Sequence, residues 1–271
     1  MVRYFIRDGR RLAYTDTGRG DVIVLLHGYL GSLDVFKNIS GKLSRSFRIV
    51  AVDLPGHGQS DILSECHSME LMAASVYDLI RFLGIDRVLI TGHSLGGYVV
   101  LAFLEKYAEL VGGYCLFHSH PFADSDEAIE RRKREIQIVL AGRKSIMYPS
   151  NIEKMYSPYN LERFNSELNA LNDIASRTPD DGIVAVLKGM IARPSRLGLM
   201  ESSQSPFLWV LGIHDQYIDY RSVTGAVQLP SNGQMATLFE SGHLGFIEEP
   251  ERSTMILRDF ALKVFGSESR A

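Results

Sequence analysis

The chain is short of cysteine, of basic charge and of long apolar runs, and each shortage excludes something. Two cysteines, Cys66 and Cys115, occur in 271 residues. Cys115 stands in the apolar run Gly113-Tyr114-Cys115-Leu116-Phe117, where a small core thiol is expected and a disulfide is not. Reduced thiols fit a cytoplasmic protein. Lys and Arg number 29 against 32 Asp and Glu, a net charge of -3, so the basic surplus of a nucleic-acid binder is missing. No stretch reaches membrane-spanning length, and the first residues alternate in polarity where a signal peptide would be continuously apolar. A membrane is therefore not an expected partner. Repeats and low-complexity tracts are absent apart from a polar tail at residues 266–271. What remains is 45% hydrophobic and 23% charged, the composition of an ordinary folded domain, and long enough for one core with an inserted subdomain.

Residues 2–17 alternate in polarity on either side of Asp8-Gly9, which predicts an antiparallel hairpin at a sheet edge. Val22-Ile23-Val24-Leu25-Leu26 and Phe47-Arg48-Ile49-Val50-Ala51-Val52 read as strands covered on both faces. A short helix is expected over 35–43. Another is expected after the cap Ser68, running through Phe82, with Leu71, Ala74, Ser75, Asp78, Leu79 and Phe82 at helical spacings. Strands at 86–90 and 111–117 flank a helix ending near Tyr107, so strands and helices alternate as in a mainly parallel sheet. From 121 to 204 the alternation stops. Helical patterns occupy 126–141, 161–177 and 179–192, the first capped by Asp124 or Ser125 and stopped at Gly142, the last begun by Thr178-Pro179. Glu127/Arg131 and Glu130/Arg134 are the expected pairs on the first, whose charge run reads as a solvated face. Strands return at 207–211 and 235–239, and a final helix follows Pro250.

The chain centres on Gly92-His93-Ser94-Leu95-Gly96-Gly97, a G-x-S-x-G turn between the strand Val88-Leu89-Ile90 and the helix after it. So sharp a turn strains its central residue and requires flanking positions without side chains, here Gly92 and Gly96. Ser94 is the candidate nucleophile. The N–H of Leu95 sits at the positive end of the helix dipole, suited to a developing oxyanion. A serine hydroxyl needs a base and the base an orienting acid. Gly212-Ile213-His214-Asp215 and Gly242-His243 leave the ends of the last two expected strands and offer both.

With His27-Gly28-Tyr29 and Asp53-Leu54-Pro55-Gly56-His57-Gly58-Gln59-Ser60 added, and Gly242-His243 followed by Glu249-Pro250 counted as one, the five pieces in order resemble the α/β-hydrolase superfamily. The resemblance implies an α/β fold, with a mainly parallel central sheet flanked by helices formed by 1–120 and 204–271. It further implies an inserted helical cap at 121–203. It makes Ser94 the nucleophile, His243 the general base and acid, and Asp215 the orienting carboxylate. The oxyanion hole would be the backbone N–H groups of Tyr29 and Leu95, with no cofactor and no metal. It implies hydrolysis of a small to medium carboxylic ester through an acyl-enzyme. Lactone or C–C bond hydrolysis, a lyase reaction, or a small-molecule receptor without turnover are alternatives on the same scaffold.

Three further points stay open in the sequence. The acid could be Asp215, Asp219, or Asp124 or Asp126 after the earlier strand, though the last three look like helix caps. His118 and His120 leave the strand after the Ser94 helix and are expected to face the substrate pocket. As an H-x-H pair they could alternatively hold a metal, for which no third ligand is evident. His57, His93 and His214 read as scaffold or pocket lining, and Met147, Met190 and Met200 as filling of the insertion's own core.

Overall fold

The computed structural model of the chain describes residues 1–266. Strands β1 (Arg3–Arg7) and β2 (Arg10–Thr17) pair antiparallel across Asp8 and Gly9. Both turn residues have positive φ, 49° and 74°, the turn whose twist suits a hairpin. There follow β3 (Val22–Leu26), α1 (Lys37–Leu43), β4 (Arg48–Val52), α2 (Met69–Phe82), β5 (Val88–His93), α3 (Leu95–Lys106) and β6 (Val111–Phe117). Between β6 and the next strand the described chain is helical: α4 (Asp126–Leu140), α5 (Tyr148–Glu153), α6 (Asn165–Arg177), α7 (Asp180–Ala192) and α8 (Leu197–Ser202). The sheet resumes with β7 (Phe207–Gly212), then α9 (Tyr220–Ala226), β8 (Gly233–Leu238), α10 (Gly245–Glu248) and α11 (Pro250–Gly266). Beyond Gly266, the expected polar tail lies outside the described residues.

The eight strands form one sheet in the order β1-β2-β4-β3-β5-β6-β7-β8. From β4 to β8 every neighbouring pair is parallel. Strands β3, β5, β6 and β7 are buried at every residue, as strands are when helices cover both faces. The loops that leave β3, β5, β6, β7 and β8 all emerge at the carboxyl edge, where parallel sheets of this kind bind ligands.

Several local expectations need correction. In α2 the buried face is Met69, Met72, Ala73, Val76, Leu79 and Ile80, rotated from the expected stripe. That set is wholly apolar, whereas the other contained Ser75 and Asp78. Phe82 is exposed, with its ring against Phe5 of the edge hairpin. The helix at 35–43 is split into a 3-10 turn over Leu33–Phe36 and α1. Two short helices, α5 and α8, carry no sequence pattern long enough to announce them. Ser125, not Asp124, caps α4 by accepting the Ala128 N–H, and Glu130 pairs with Lys133. Thr178 does not cap α7, because its hydroxyl donates to the Ile174 carbonyl instead.

The insertion is bolted to the sheet at two seams. Helix α7 lies backbone to backbone on the loop between β4 and α2. A side chain on Gly182 would collide with the Gly56 carbonyl and one on Gly189 with the His67 carbonyl. The His67 N–H donates to the Ala185 carbonyl at 2.9 Å. At the second seam the buried carboxylate of Glu248 accepts from Ser157 N and Asn160 Nδ2, both at 2.8 Å, and from Gly242 N at 2.9 Å.

Candidate active site

Ser94 links β5 to α3 with φ 50° and ψ -113°, a left-handed value that is costly for a residue with a side chain. The glycines around it are there for contact. A side chain on Gly92 would strike the backbone of Gly96, one on Gly96 the Leu26 carbonyl, and one on Gly97 the side chain of Ser119. The Ser94 N–H donates to the Phe117 carbonyl at 3.0 Å, and the Ser94 carbonyl accepts from Ser119 Oγ at 2.8 Å. The strained turn is thus held from the end of β6, a role for Ser119 that no sequence signal announced.

Behind β3, His27 Nδ1 donates to the Gly28 carbonyl at 2.8 Å and its Nε2 accepts the Leu54 N–H at 2.9 Å. A Cβ on Gly28 would lie 3.3 Å from the Cβ of Ser94, so the turn carrying Tyr29 packs directly on the serine turn. Leu95 opens α3, and its N–H is among those a helix leaves without an internal partner.

His243 follows β8. Its Nδ1 is 2.7 Å from Asp215 Oδ2, its backbone N–H donates to the Met155 carbonyl at 2.6 Å, and its carbonyl accepts from His93 Nε2 at 2.8 Å. Asp215 Oδ1 accepts from the N–H groups of Tyr217 and Ile218 at 2.8 and 2.9 Å. Burial alone would raise the Asp215 pKa. The charge of His243 and hydrogen-bond donors around the carboxylate overcome it and hold the group well below the usual carboxylate range.

The rival carboxylates have other partners, although Asp124 and Asp219 also line the cavity that holds Ser94 and His243. Asp219 caps α9 through Ser222 N at 2.8 Å, Asp126 lies in the first turn of α4, and Asp124 binds Arg132 at 2.6 Å and Arg193 at 2.7 Å.

Ser94, Tyr29 and His243 line one cavity of about 380 Å³. Its other walls include Tyr98, His120, Phe122, Arg132, Glu135, Met155, Met190 and Tyr217. His120 lines this space. Its Nδ1 accepts the Phe122 N–H, and its Nε2 meets the Tyr98 hydroxyl at 3.2 Å. Burial and then the nearby Arg193 charge push its pKa down to about 3.

His118 does not face the cavity, contrary to expectation. It is fully buried, with Nε2 accepting the Gly245 N–H at 3.2 Å and Nδ1 3.4 Å from Asp215 Oδ2. With φ at 45°, the chain reverses at the end of β6 and sends residues 118 and 120 to different neighbours. They do not form a metal-binding pair. Among the described residues one trio, His118, Asp215 and His243, brings ligand-type atoms within 4.8 Å of one another. Those atoms face each other as two imidazole nitrogens around one carboxylate oxygen, Asp215 Oδ2.

The charge run on α4 is the second correction here. Arg132 is largely buried against Asp124, and Glu135 accepts from Asn151 Nδ2 at 3.3 Å and Tyr29 Oη at 3.4 Å. Ala128, Arg131, Arg132 and Glu135 all line the cavity. Their three- and four-residue spacing was the available signal, hidden because charged residues such as Glu127, Glu130, Lys133 and Arg134 surround it in the sequence. Arg193 adds its guanidinium 3.8 Å over the Tyr98 ring, and Met190, Met200 and Met147 are buried.

A serine on a strained strand-to-helix turn, with a histidine and a carboxylate from later loops of the same sheet edge, is an arrangement for acyl transfer. Comparison with known proteins agrees. A family model described as the alpha/beta hydrolase fold matches residues 21–250, and the chain belongs to that family. A 2-hydroxy-6-oxononadienedioate/2-hydroxy-6-oxononatrienedioate hydrolase from Paraburkholderia phymatum is 26% identical, over 92% of this chain and 90% of its own length. A thermophilic esterase from Thermogutta terrifontis superposes with a TM-score of 0.92 at 26% identity, covering 97% of this chain and 99% of that one. The first curated relatives, among them an uncharacterised Mycobacterium tuberculosis protein 39% identical over 103 residues, are matched over only 30% of their length. Among the described residues no helix is long and apolar enough to cross a membrane.

Proposed function

We propose that this chain is a serine hydrolase that cleaves small to medium carboxylic esters through an acyl-enzyme. The observation that carries the reading is the 2.7 Å contact between Asp215 Oδ2 and His243 Nδ1, beside a cavity that Ser94 shares with His243. Ser94 Oγ gives its proton to His243 Nε2 as it bonds the ester carbonyl carbon. The carbonyl electron pair moves onto oxygen, where the N–H groups of Tyr29 and Leu95 receive it. As the intermediate collapses, His243 returns the proton to the leaving alkoxide, which departs as the alcohol. Water repeats the sequence and frees Ser94 and the acid. Asp215 keeps the imidazole in the tautomer that presents Nε2 to the serine.

Residues 121–203 act in this reading as a cap that roofs the cavity and selects the substrate. The free thiols of Cys66 and Cys115 support a cytoplasmic location.

A second reading is C–C bond hydrolysis of an oxo-acid, supported by the relative named for that substrate class and by Arg132 in the cavity wall. A panel of chromogenic acyl esters of graded chain length, with an oxo-dienedioate alongside, separates the two. Turnover of esters that disappears in Ser94→Ala is the expected result. Turnover of the dienedioate alone selects the second reading. Saturable binding with no turnover of any compound would make the chain a receptor and overturn both.

A further inference from the structure

His118 has no part in the reaction just described, yet it is built into the back of the site. The ring is 0% exposed. A Cβ on Gly212 would lie 2.9 Å from its Cε1, and one on Gly245 2.6 Å from its Nε2, so two glycines keep open the space it fills. Its Nε2 accepts the Gly245 N–H. A neutral imidazole with one nitrogen accepting carries its proton on the other, which makes Nδ1 an N–H donor. That donor has no standard hydrogen bond. It stands 3.4 Å from Asp215 Oδ2, the oxygen that His243 Nδ1 also uses. A buried N–H left half-engaged is costly, and contacts around catalytic groups are often long until charge develops in the reaction.

We infer that His118 is a positioning residue: pinned by Gly245, it points its Nδ1–H at Asp215 Oδ2 and keeps that carboxylate ionised and aimed at His243. The inference rests on reading Ser94, His243 and Asp215 as the reacting set. With His118 in place, Asp215 Oδ1 has two backbone donors and Oδ2 two imidazole donors. The carboxylate therefore stays charged although its side chain is only 1% exposed. His118 itself remains neutral, because burial outweighs the attraction of Asp215 and holds its pKa below the ordinary histidine value. The charged and titratable groups around it are Asp215, His243 and, at longer range, Glu249, with the His93 ring centroid 6.3 Å away.

The test compares His118→Phe, which keeps a ring and loses both nitrogens, with His118→Asn, whose amide can occupy the Nδ1 position. Both are assayed on an ester that the wild type turns over. Loss of one donor leaves Asp215 a stronger acceptor toward His243. In His118→Phe the acid limb of the kcat/KM profile should therefore move upward by about one pH unit, the size of a hydrogen bond to a charged group. Its kcat should fall about tenfold, equivalent to the same free energy, with KM nearly unchanged. His118→Asn should recover most of both. A folded His118→Phe with the wild-type acid limb and kcat overturns the inference, as does equal loss in the two variants without a shift of the limb. If His118→Phe does not fold, His118→Gln replaces it, because its amide reaches the Nε2 position only. Equal profiles for Asn and Gln then overturn the inference. Ser94→Ala and Asp215→Asn on the same ester separate the two levels: activity surviving there refutes the reacting set itself, whereas its loss there beside unaffected His118 variants refutes only the role of His118.

Discussion

Asp215 is where the chemistry at the residue scale can be tested most sharply. Four aspartates follow the serine at plausible positions, and their local tasks differ. Asp219 caps α9, Asp126 sits in the first turn of α4, and Asp124 neutralises two arginines. Asp215 alone of the four bonds His243. Changing it to asparagine offers His243 Nδ1 an amide that can present its N–H, which selects the wrong imidazole tautomer. Asp215→Asn should accordingly lower kcat by about three to four orders of magnitude. Asp126→Asn and Asp219→Asn should change kcat less than about threefold, since they remove surface interactions. Steady-state kinetics on one ester decides it. Near-normal kcat in Asp215→Asn together with a collapse in any of the others would move the acid to that residue.

At the scale of elements, the insertion is held to the core through contacts that leave no space for a side chain. Helix α7 carries Gly182 and Gly189 on the face that meets Gly56 and His67, and both partners are backbone, which cannot swing away as a long side chain can. Gly189→Ala raises helix propensity and would stabilise an exposed helix. Here the clash should dominate and destabilise the protein by about 1–3 kcal/mol, the usual cost of overpacking. Denaturant titration of Gly189→Ala against Gly198→Ala, where an added Cβ meets nothing within 4 Å, checks the sign. A more stable Gly189→Ala would mean that α7 is not seated on the loop as described. The other seam, at Glu248, joins residues 157 and 160 of the insertion to the backbone on either side of His243. Whatever shifts that part of the insertion also shifts the candidate base.

For the whole molecule, the buried histidines set the response to acid. Burial lowers the pKa of His27 to about 4, of His57 to about 3, of His67 to about 4 and of His120 to about 3, from a reference of 6.5. Each has a folded value below its unfolded one, so the unfolded chain binds more protons once pH drops past 6.5. The stability they contribute is complete above that pH and is lost progressively as pH falls toward 4. Asp53 opposes them, because burial raises its pKa from 3.8 to about 6, and the folded state gains a proton there over the same range. Burial also lowers the pKa of His93 and His118 and raises that of Glu135 and Glu248. Six histidines against three carboxylates leave a net uptake on unfolding, and each proton is worth about 1.4 kcal/mol per pH unit. Urea unfolding should therefore show lower stability at pH 5 than at pH 7. Equal or greater stability at pH 5 would show that these rings are not buried as neutral groups.

Local chemistry fixed much of this protein before any folding is considered. Apolar runs of five residues dictated β3 and β7, and the shorter runs Val88-Leu89-Ile90 and Tyr114-Cys115-Leu116-Phe117 announced β5 and β6, since such runs are stable only when covered on both faces. The spacing of glycines around Ser94 dictated the sharp turn, and Asp8-Gly9 dictated the hairpin. The same order of pieces brought Ser94, Asp215 and His243 into view, with Tyr29 and Leu95 beside them. Tertiary structure decided what depends on which surfaces meet. It chose the buried face of α2 and turned Arg132 and Glu135 of a charged helix toward a cavity. It also sent His118 behind Asp215 while leaving His120 in front. For Glu135 and His118 the deciding partners are distant in the chain: Tyr29 and Asn151 for the first, Gly245 for the second. A sequence pattern records a residue's own periodicity but not the side chains that a fold brings against it.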